Sequence, residues 1–378
     1  MRSLPLACPH RPPCPGCPRF GDPGPAPQAL SSLRAFAAQA GISAPEIVKG
    51  PRAGFRYRAR LAIRGRAGAP KLGIFEENSH RVVHIPNCVV HHPLINQVAG
   101  AVLGELARQR TPPYSDEAHA GVARYLAVAV ESASKTAQVV LVTHGEFHAE
   151  LEPLFDGISQ KLGDRLHSLW HNAQSEKKNA ILGPTFRHLG GGAFIHETIG
   201  QARVFYAPGA FGQSNLELFA ELVEQLHRLV PARARVLELY AGVGAIGLGL
   251  AARSEALVLN EIGEHSLAGL EQGIANLEPE LRRRVRLAPG SAAAHAELIA
   301  DADVVIADPP RKGLDPEVLD ALIRHRPGRL LYVSCGLDSF LSQGKTLLDR
   351  AFALESLKVF DLFPFTEHVE VLACFAAR

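Results

Sequence analysis

Apolar and basic residues alternate over 55–64 (FRYRARLAIR). That period of two predicts a strand with Phe55, Tyr57, Leu61 and Ile63 on a core face and Arg56, Arg58, Arg60 and Arg64 facing out. Short apolar runs at 71–75, 124–131, 137–143 and 166–171 predict further strands, while 28–40 and 88–110 have helical patterning, the first ending at Gly41. Beyond about residue 205 the pattern becomes regular: helix 214–229, strand 235–239, a glycine-rich turn, a helix to about 253, strand 256–260 and helix 263–276. Strand 303–307, helix 315–325, strand 329–333, helix 338–350 and two closing strands complete it. Strands alternating with helices predict a parallel, doubly wound α/β sheet, here preceded by an α+β region, with no internal repeat.

The 378 residues allow two or three domains, and 47% hydrophobic with 21% charged residues is ordinary for a globular chain. No apolar run approaches the roughly 20 residues that cross a bilayer, and the proline-broken N-terminus has no signal-peptide core, so a cytoplasmic protein without membrane contact is expected. A net charge of +2 excludes a polycation, so nucleic-acid binding has to come from local patches. The arginine strand is one candidate, with Lys177, Lys178 and Arg187 as extensions; a solvated sheet face is the equal alternative. Of the six cysteines, Cys8, Cys14 and Cys17 crowd at the start, with Cys88 downstream. In a reducing compartment four such thiols predict a metal site, iron–sulfur or zinc alike. Cys374, on a closing strand, is a core residue.

The turn Glu238-Leu-Tyr-Ala-Gly242-Val-Gly244-Ala-Ile-Gly247 follows a strand, and Glu261 ends the next strand about 20 residues on, a spacing that suits a ribose. The motif also fits a nicotinamide cofactor, or a turn serving packing alone. Two details favour S-adenosylmethionine. Glu238 precedes the first glycine and can face the cationic methionine part, and the fourth strand ends in Asp308-Pro309-Pro310 at the sheet edge where ligands bind. Strand 329–333 then leads into Ser334-Cys335, whose thiol would face the same crevice; by itself, a buried strand-end cysteine is the commoner reading.

Residues 308–335 (DPPRKGLDPEVLDALIRHRPGRLLYVSC), 360–370 (FDLFPFTEHVE), the segment Phe211-Gly-Gln213-Ser-Asn215 and the stretch 170–192 resemble the RNA uracil-C5 methyltransferase family over nearly the whole chain. The resemblance is greatest to the short bacterial type that acts on 23S ribosomal RNA and bears an iron–sulfur cluster. It implies a Rossmann-like methyltransferase domain at 206–378, an RNA-facing α+β domain at 51–205 and a cysteine-rich iron–sulfur segment at 1–50. It further implies Cys335 as nucleophile and Glu370 as base, with Gln213, Tyr240, Glu261 and Asp308 lining S-adenosylmethionine. Cys8, Cys14, Cys17 and Cys88 would hold a 4Fe–4S cluster with an architectural role. The implied partner is RNA, ribosomal before transfer, bound by a monomer.

Chemistry explains the pair. Uracil C5 is too weak a nucleophile to attack a sulfonium methyl, and a thiolate added at C6 makes C5 enolate-like; a base must afterwards take the C5 proton. Arg311 is the nearby cation for the thiolate, or a phosphate contact, and His368 either positions Glu370 or packs. The chain departs from the family pattern at Gly336 (usually Asn), Ser339 (usually Thr) and Phe365 (usually polar or Tyr). An amino-group methyltransferase, which would leave Cys335 without a role, and an RNA-binding protein with a decayed site are the competing readings.

Overall fold

The computed structural model describes residues 6–177 and 180–378, so Lys178 lies outside the described residues. The chain divides into two compact units, Met1–Cys17 with Pro51–Glu197, and Pro18–Gly50 with Thr198–Arg378. Residues 18–50 thus belong with the C-terminal half rather than with the cysteines.

Among the described residues the second unit carries an eight-stranded sheet in the order Glu46–Val48, Phe352–Phe360, Glu370–Ala377, Arg329–Ser334, Val304–Ala307, Arg235–Leu239, Ala256–Glu261, Val285–Pro289. The last five are mutually parallel. Arg329–Ser334, Val304–Ala307 and Arg235–Leu239, at the middle of the sheet, are buried on both faces almost throughout, which is why they read as continuous apolar runs. One strand runs the other way: Glu370–Ala377 is antiparallel to both of its neighbours. Its first residue therefore lies at the carboxyl ends of the parallel strands, where ligands bind in such sheets. Ser334 pairs with Val371, so the next residues on the two chains are Cys335 and Glu370.

Leu237, Val305, Leu330, Tyr332, Phe340 and Val371 anchor the core. The helix Pro27–Gln39 joins it through Phe36, edge-on to Phe340 at 5.4 Å. Helix Leu216–Leu229 starts at Asn215, whose side chain accepts from the Leu218 amide. The helix expected after the glycine turn is reduced to a 3-10 segment, Gly247–Leu250. A Cβ on Gly247 would stand 2.1 Å from Glu238 Oε2, so a glycine is required there. With Gly249 beside it, each weakening a helix by about 1 kcal/mol, the full helix does not form.

The first unit, among its described residues, has a seven-stranded sheet in the order Val82–His84, Ala69–Phe75, Arg58–Arg66, Ala123–Glu131, Thr136–Thr143, Leu166–Ala173, Thr185–Gly191. Neighbours are antiparallel except Thr136–Thr143 with Leu166–Ala173, whose parallel pairing needs a crossover supplied by the helix Glu152–Leu162. That helix was not foreseen, and the expected 88–110 helix is shorter, Pro93–Arg108.

The arginine strand is only partly outward. Arg60 is exposed, Arg56 and Arg58 are half-buried, and Arg64 is buried. Arg64 is held by Asp116 through Nε at 2.7 Å and Nη2 at 3.0 Å, and it lies over the rings of Phe75, Tyr114 and Tyr125. Its charge is spent inside the fold, which corrects its expected place in an RNA-facing row. Arg64→Met should therefore lower unfolding free energy by about 2–3 kcal/mol, below the cost of breaking a fully buried pair because Asp116 keeps some exposure. Denaturant titration measures this. The salt dependence of RNA binding should stay unchanged in the same variant; a slope reduced by about one would return Arg64 to the phosphate-facing set.

Candidate active site

A cavity of about 690 Å³ opens at the carboxyl ends of the parallel strands. Gln213, Tyr240, Glu261, Asp308, Cys335 and Glu370 all line it, so the six residues singled out from the sequence meet in one place. The exposed apolar side chains Phe211 and Ile262 also border it, offering flat surface for a ring.

The glycine turn is fastened by Glu261. One carboxylate oxygen accepts from the Gly242 amide at 2.7 Å, and the other from the amides of Ile262 at 2.9 Å and Gly263 at 2.6 Å. Tyr240, next to the turn, has a left-handed backbone (φ 59°). Its hydroxyl donates to Asp315 Oδ2 at 3.0 Å and accepts from the Asp315 amide at 3.1 Å. Lys312 Nζ holds the other oxygen of Asp315 at 2.6 Å. Asp-Pro at 315–316 looks from the sequence like a simple helix cap, yet the Asp315 side chain makes no cap bond. Its engagement with Tyr240 leaves no local signal in the sequence.

Acid groups crowd the floor. Glu238 is 1% exposed and its Oε2 has no hydrogen-bond partner. Glu370 is likewise 1% exposed with neither carboxyl oxygen bonded. Burial, then the nearby Asp308, pushes the carboxyls of both well above the usual range. Burial raises Asp308 to about 7. The Cys335 thiol is pushed up to about 11, first by burial, then by Glu370 and Asp308, with Arg311 opposing. A floor where burial raises three carboxyls and a thiol, disfavouring their anions, is matched to a cationic ligand. S-adenosylmethionine, with its sulfonium and ammonium, fits that floor, and the apolar border suits its adenine.

His368 is exposed, lies edge-on to Phe363 at 6.3 Å and does not bond Glu370, so it does not position the carboxyl. Phe365 is buried against Phe20 at 4.8 Å, which gives its aromatic ring a packing role. Cys374 is fully buried.

In the other unit Cys8, Cys14, Cys17 and Cys88 rim one cavity of about 210 Å³, with Arg56 and Arg60 in its wall. No described cysteine is in a disulfide. Burial and the neighbouring thiols push Cys17 up to about 11, while Arg56 opposes. Among the described residues no three His, Cys, Asp or Glu side chains close around a single-ion position.

A family model described as tRNA (uracil-5-)-methyltransferase matches residues 28–376. The chain belongs to that family. It is 32% identical to an uncharacterized RNA methyltransferase of Protochlamydia amoebophila over 98% of this chain and 97% of that one. It is 30% identical to an uncharacterized RNA methyltransferase of Geobacter sulfurreducens over 84% of this chain and 65% of that one. Among solved structures it shares its fold with the Pyrococcus abyssi tRNA (uracil-54, C5)-methyltransferase bound to S-adenosyl-L-homocysteine: TM-score 0.75, 23% identity, 92% of this chain and 83% of that one. The protein is thus an S-adenosylmethionine-dependent RNA (uracil-5-)-methyltransferase with the α/β fold of that class. No described helix is long and apolar enough to cross a membrane.

Asp308 sets a pH dependence. Its carboxyl rises from 3.8 to about 7 on folding, so the native state holds a proton that the unfolded chain has released. Stability from this group is complete below about pH 4 and is lost as pH climbs through about 7. The melting temperature of ligand-free protein should decline across that window, and Asp308→Asn should flatten the decline. Parallel curves for the two proteins would show that Asp308 does not carry the effect.

Proposed function

We propose that this enzyme methylates C5 of a uridine in RNA through a covalent bond from Cys335 to C6, with Glu370 as the base. The observation that carries this reading is the meeting of Cys335 and Glu370 at adjoining strand ends on one cavity, beside Gln213, Tyr240, Glu261 and Asp308 as the cofactor-lining set. Bound S-adenosylmethionine supplies an electrophilic methyl group.

At a thiol pKa of about 11, roughly one Cys335 in ten thousand is ionised at pH 7. A cation entering the acidic floor, with Arg311, favours the thiolate and the ionised Glu370. The target uracil has to be unstacked to reach the cavity. The thiolate adds to C6 and the electron pair of the C5–C6 bond moves towards O4, leaving C5 nucleophilic. C5 takes the methyl group. Glu370 then removes the C5 proton, the C5–C6 double bond returns, and the thiolate leaves. A carboxyl with raised proton affinity suits that last step.

The likeness of the cysteine spacing to the short iron–sulfur type favours ribosomal RNA as the substrate, and a 4Fe–4S cluster on Cys8, Cys14, Cys17 and Cys88 has an architectural role, since methyl transfer moves no electron; the proposed enzyme is a cytoplasmic monomer. Transfer RNA is the second reading, because the Pyrococcus abyssi neighbour that shares the fold acts on a tRNA uracil. Mapping 5-methyluridine in ribosomal and transfer RNA from cells with and without the gene separates the two.

Cys335→Ala should abolish methyl transfer and form no adduct. Glu370→Gln can still add and methylate but cannot eliminate, so a methylated RNA–protein adduct should build up on a denaturing gel. Normal turnover by Glu370→Gln, or 5-methyluridine made by Cys335→Ala, overturns the respective role.

Protein purified anaerobically should be brown with about four irons per chain, and Cys14→Ser should bleach it and lower its melting temperature. Stoichiometric zinc without iron, after iron-replete anaerobic production, would refute the cluster.

A further inference from the structure

The loop after Asp308 is tied down from one helix. Leu337–Arg350 follows the nucleophile directly, and two of its side chains reach the loop one turn apart. Ser339 Oγ lies 2.8 Å from the Arg311 carbonyl and 2.9 Å from the Gly336 carbonyl, so one hydroxyl bridges the Arg311 loop and the turn after Cys335. Gln343 makes a two-sided clasp on Leu314: its Nε2 donates to the carbonyl at 2.9 Å and its Oε1 accepts from the amide at 2.9 Å. The same oxygen accepts from Tyr332 at 2.7 Å, which fixes the amide's orientation.

Glycines make the approach possible. A Cβ on Gly336 would stand 2.3 Å from the Arg311 carbonyl oxygen, and one on Gly313 (φ 83°) would stand 2.4 Å from Gln343 Oε1. Gly336 is therefore no sign of decay: an Asn there, as in the family pattern, has no room beside this loop. Gly336 and Ser339, two of the departures from that pattern, occupy a single contact.

We infer that Ser339 and Gln343 are positioning residues that clamp the Arg311 loop against the Cys335 turn, so that the Arg311 guanidinium stays beside Cys335 and Glu370, and that Gly336 permits the clamp to close. The inference rests on the proposed role of Cys335, which has to ionise. The charged groups facing the thiol are Glu370 from the closing strand, Asp308 from the strand end, and Arg311 from the clamped loop. His368 faces Arg311 and adds no negative charge. Arg311 is the member of this set that favours thiolate, and its effect falls with distance.

The test is the alkylation of Cys335 by iodoacetamide in the full, ligand-free chain, followed by mass spectrometry of the Cys335 peptide. Between about pH 8 and 9 the rate follows the thiolate fraction. Ser339→Ala and Arg311→Gln should each slow it, about 3- to 10-fold, for half to one unit of pKa. Ser339→Thr, which keeps the hydroxyl, should react at the wild-type rate. Gly336→Ala, which forces the loops apart by its Cβ, should slow the reaction and serves as the second probe where Ser339→Ala melts early. In an Arg311→Gln background Ser339→Ala should add less than about twofold, because the two act through one charge. A wild-type rate in both Ser339→Ala and Gly336→Ala, or undiminished slowing by Ser339→Ala without the arginine, overturns the clamp. These rates do not depend on methyl transfer, so failure of the covalent mechanism, seen as 5-methyluridine from Cys335→Ala, is read separately.

Discussion

Glu370 is almost wholly buried, bonds nothing and stands beside a thiol and another carboxyl. An uncompensated carboxylate in that place is costly, so the ligand-free site holds its protons. The arrangement exists because one strand of the sheet is reversed. Had Glu370–Ala377 run parallel to Arg329–Ser334, its first residue would lie at the opposite edge, a strand's length from Cys335. The reversal puts base and thiol on neighbouring strand ends, and the low dielectric of the sheet edge keeps both neutral until positive charge arrives. Burial and the neighbouring acids thus hold the ligand-free thiol in its less reactive, protonated form more than in an ordinary cysteine.

Much of the catalytic half was legible in the residues. The parallel strands announced themselves because strands covered on both faces are continuously apolar. Strand ends pointed to Glu238, Glu261 and Asp308, whereas Gln213, Tyr240, Glu370 and the role of Cys335 came from the resemblance of whole segments to the family pattern. What the pattern could not carry was contact between distant segments. The bond from Tyr240 to Asp315 joins residues 75 apart, and Asp315 has the composition of an ordinary cap. Strand Val285–Pro289 (VRLAP) is short and proline-ended, and it passed unnoticed. The helix expected after the glycine turn failed for a reason local in space but not in sequence, the carboxylate of Glu238 occupying the room at Gly247.

In the other unit, alternation alone was a poor guide to which arginines face water. Arg64 has the same parity as Arg60, yet Asp116 and three rings draw it inward. Alternation tells which side of a sheet a residue leaves from, not whether that side is covered. A guanidinium is weakly hydrated and stacks on rings, so it tolerates a covered face that would exclude a lysine ammonium. Arg56 and Arg60, at the wall of the cysteine cavity, put further positive charge where thiolates would gather. The strand's arginines therefore do not form one outward row: Arg64 turns into the core, and Arg56 and Arg60 wall the cysteine cavity.

The same economy of contact shapes the catalytic loop. Residues 308–315 are held at Asp315 by Tyr240 from the cofactor turn, and at Leu314 and Arg311 by Gln343 and Ser339 from the nucleophile's helix. The loop is thereby tied both to the turn that Glu261 fastens, through Tyr240 and Asp315, and to the turn after Cys335, through Ser339. Tyr240 occupies a left-handed backbone conformation, which costs a non-glycine residue free energy and persists only where the surroundings impose it. Its two bonds to Asp315 are such an imposition. On the inferred clamp, the bare backbone of Gly336 and the Ser339 hydroxyl set how near Arg311 comes to the thiol. A small residue at 336 together with a hydroxyl at 339 is one solution; a larger residue at 336 would need the loop placed farther out and the cation brought to the thiol in some other way. The departure that matters for this loop is therefore Gly336, whose missing Cβ lets the Arg311 carbonyl approach, while Ser339 keeps the hydroxyl that the usual Thr would also supply.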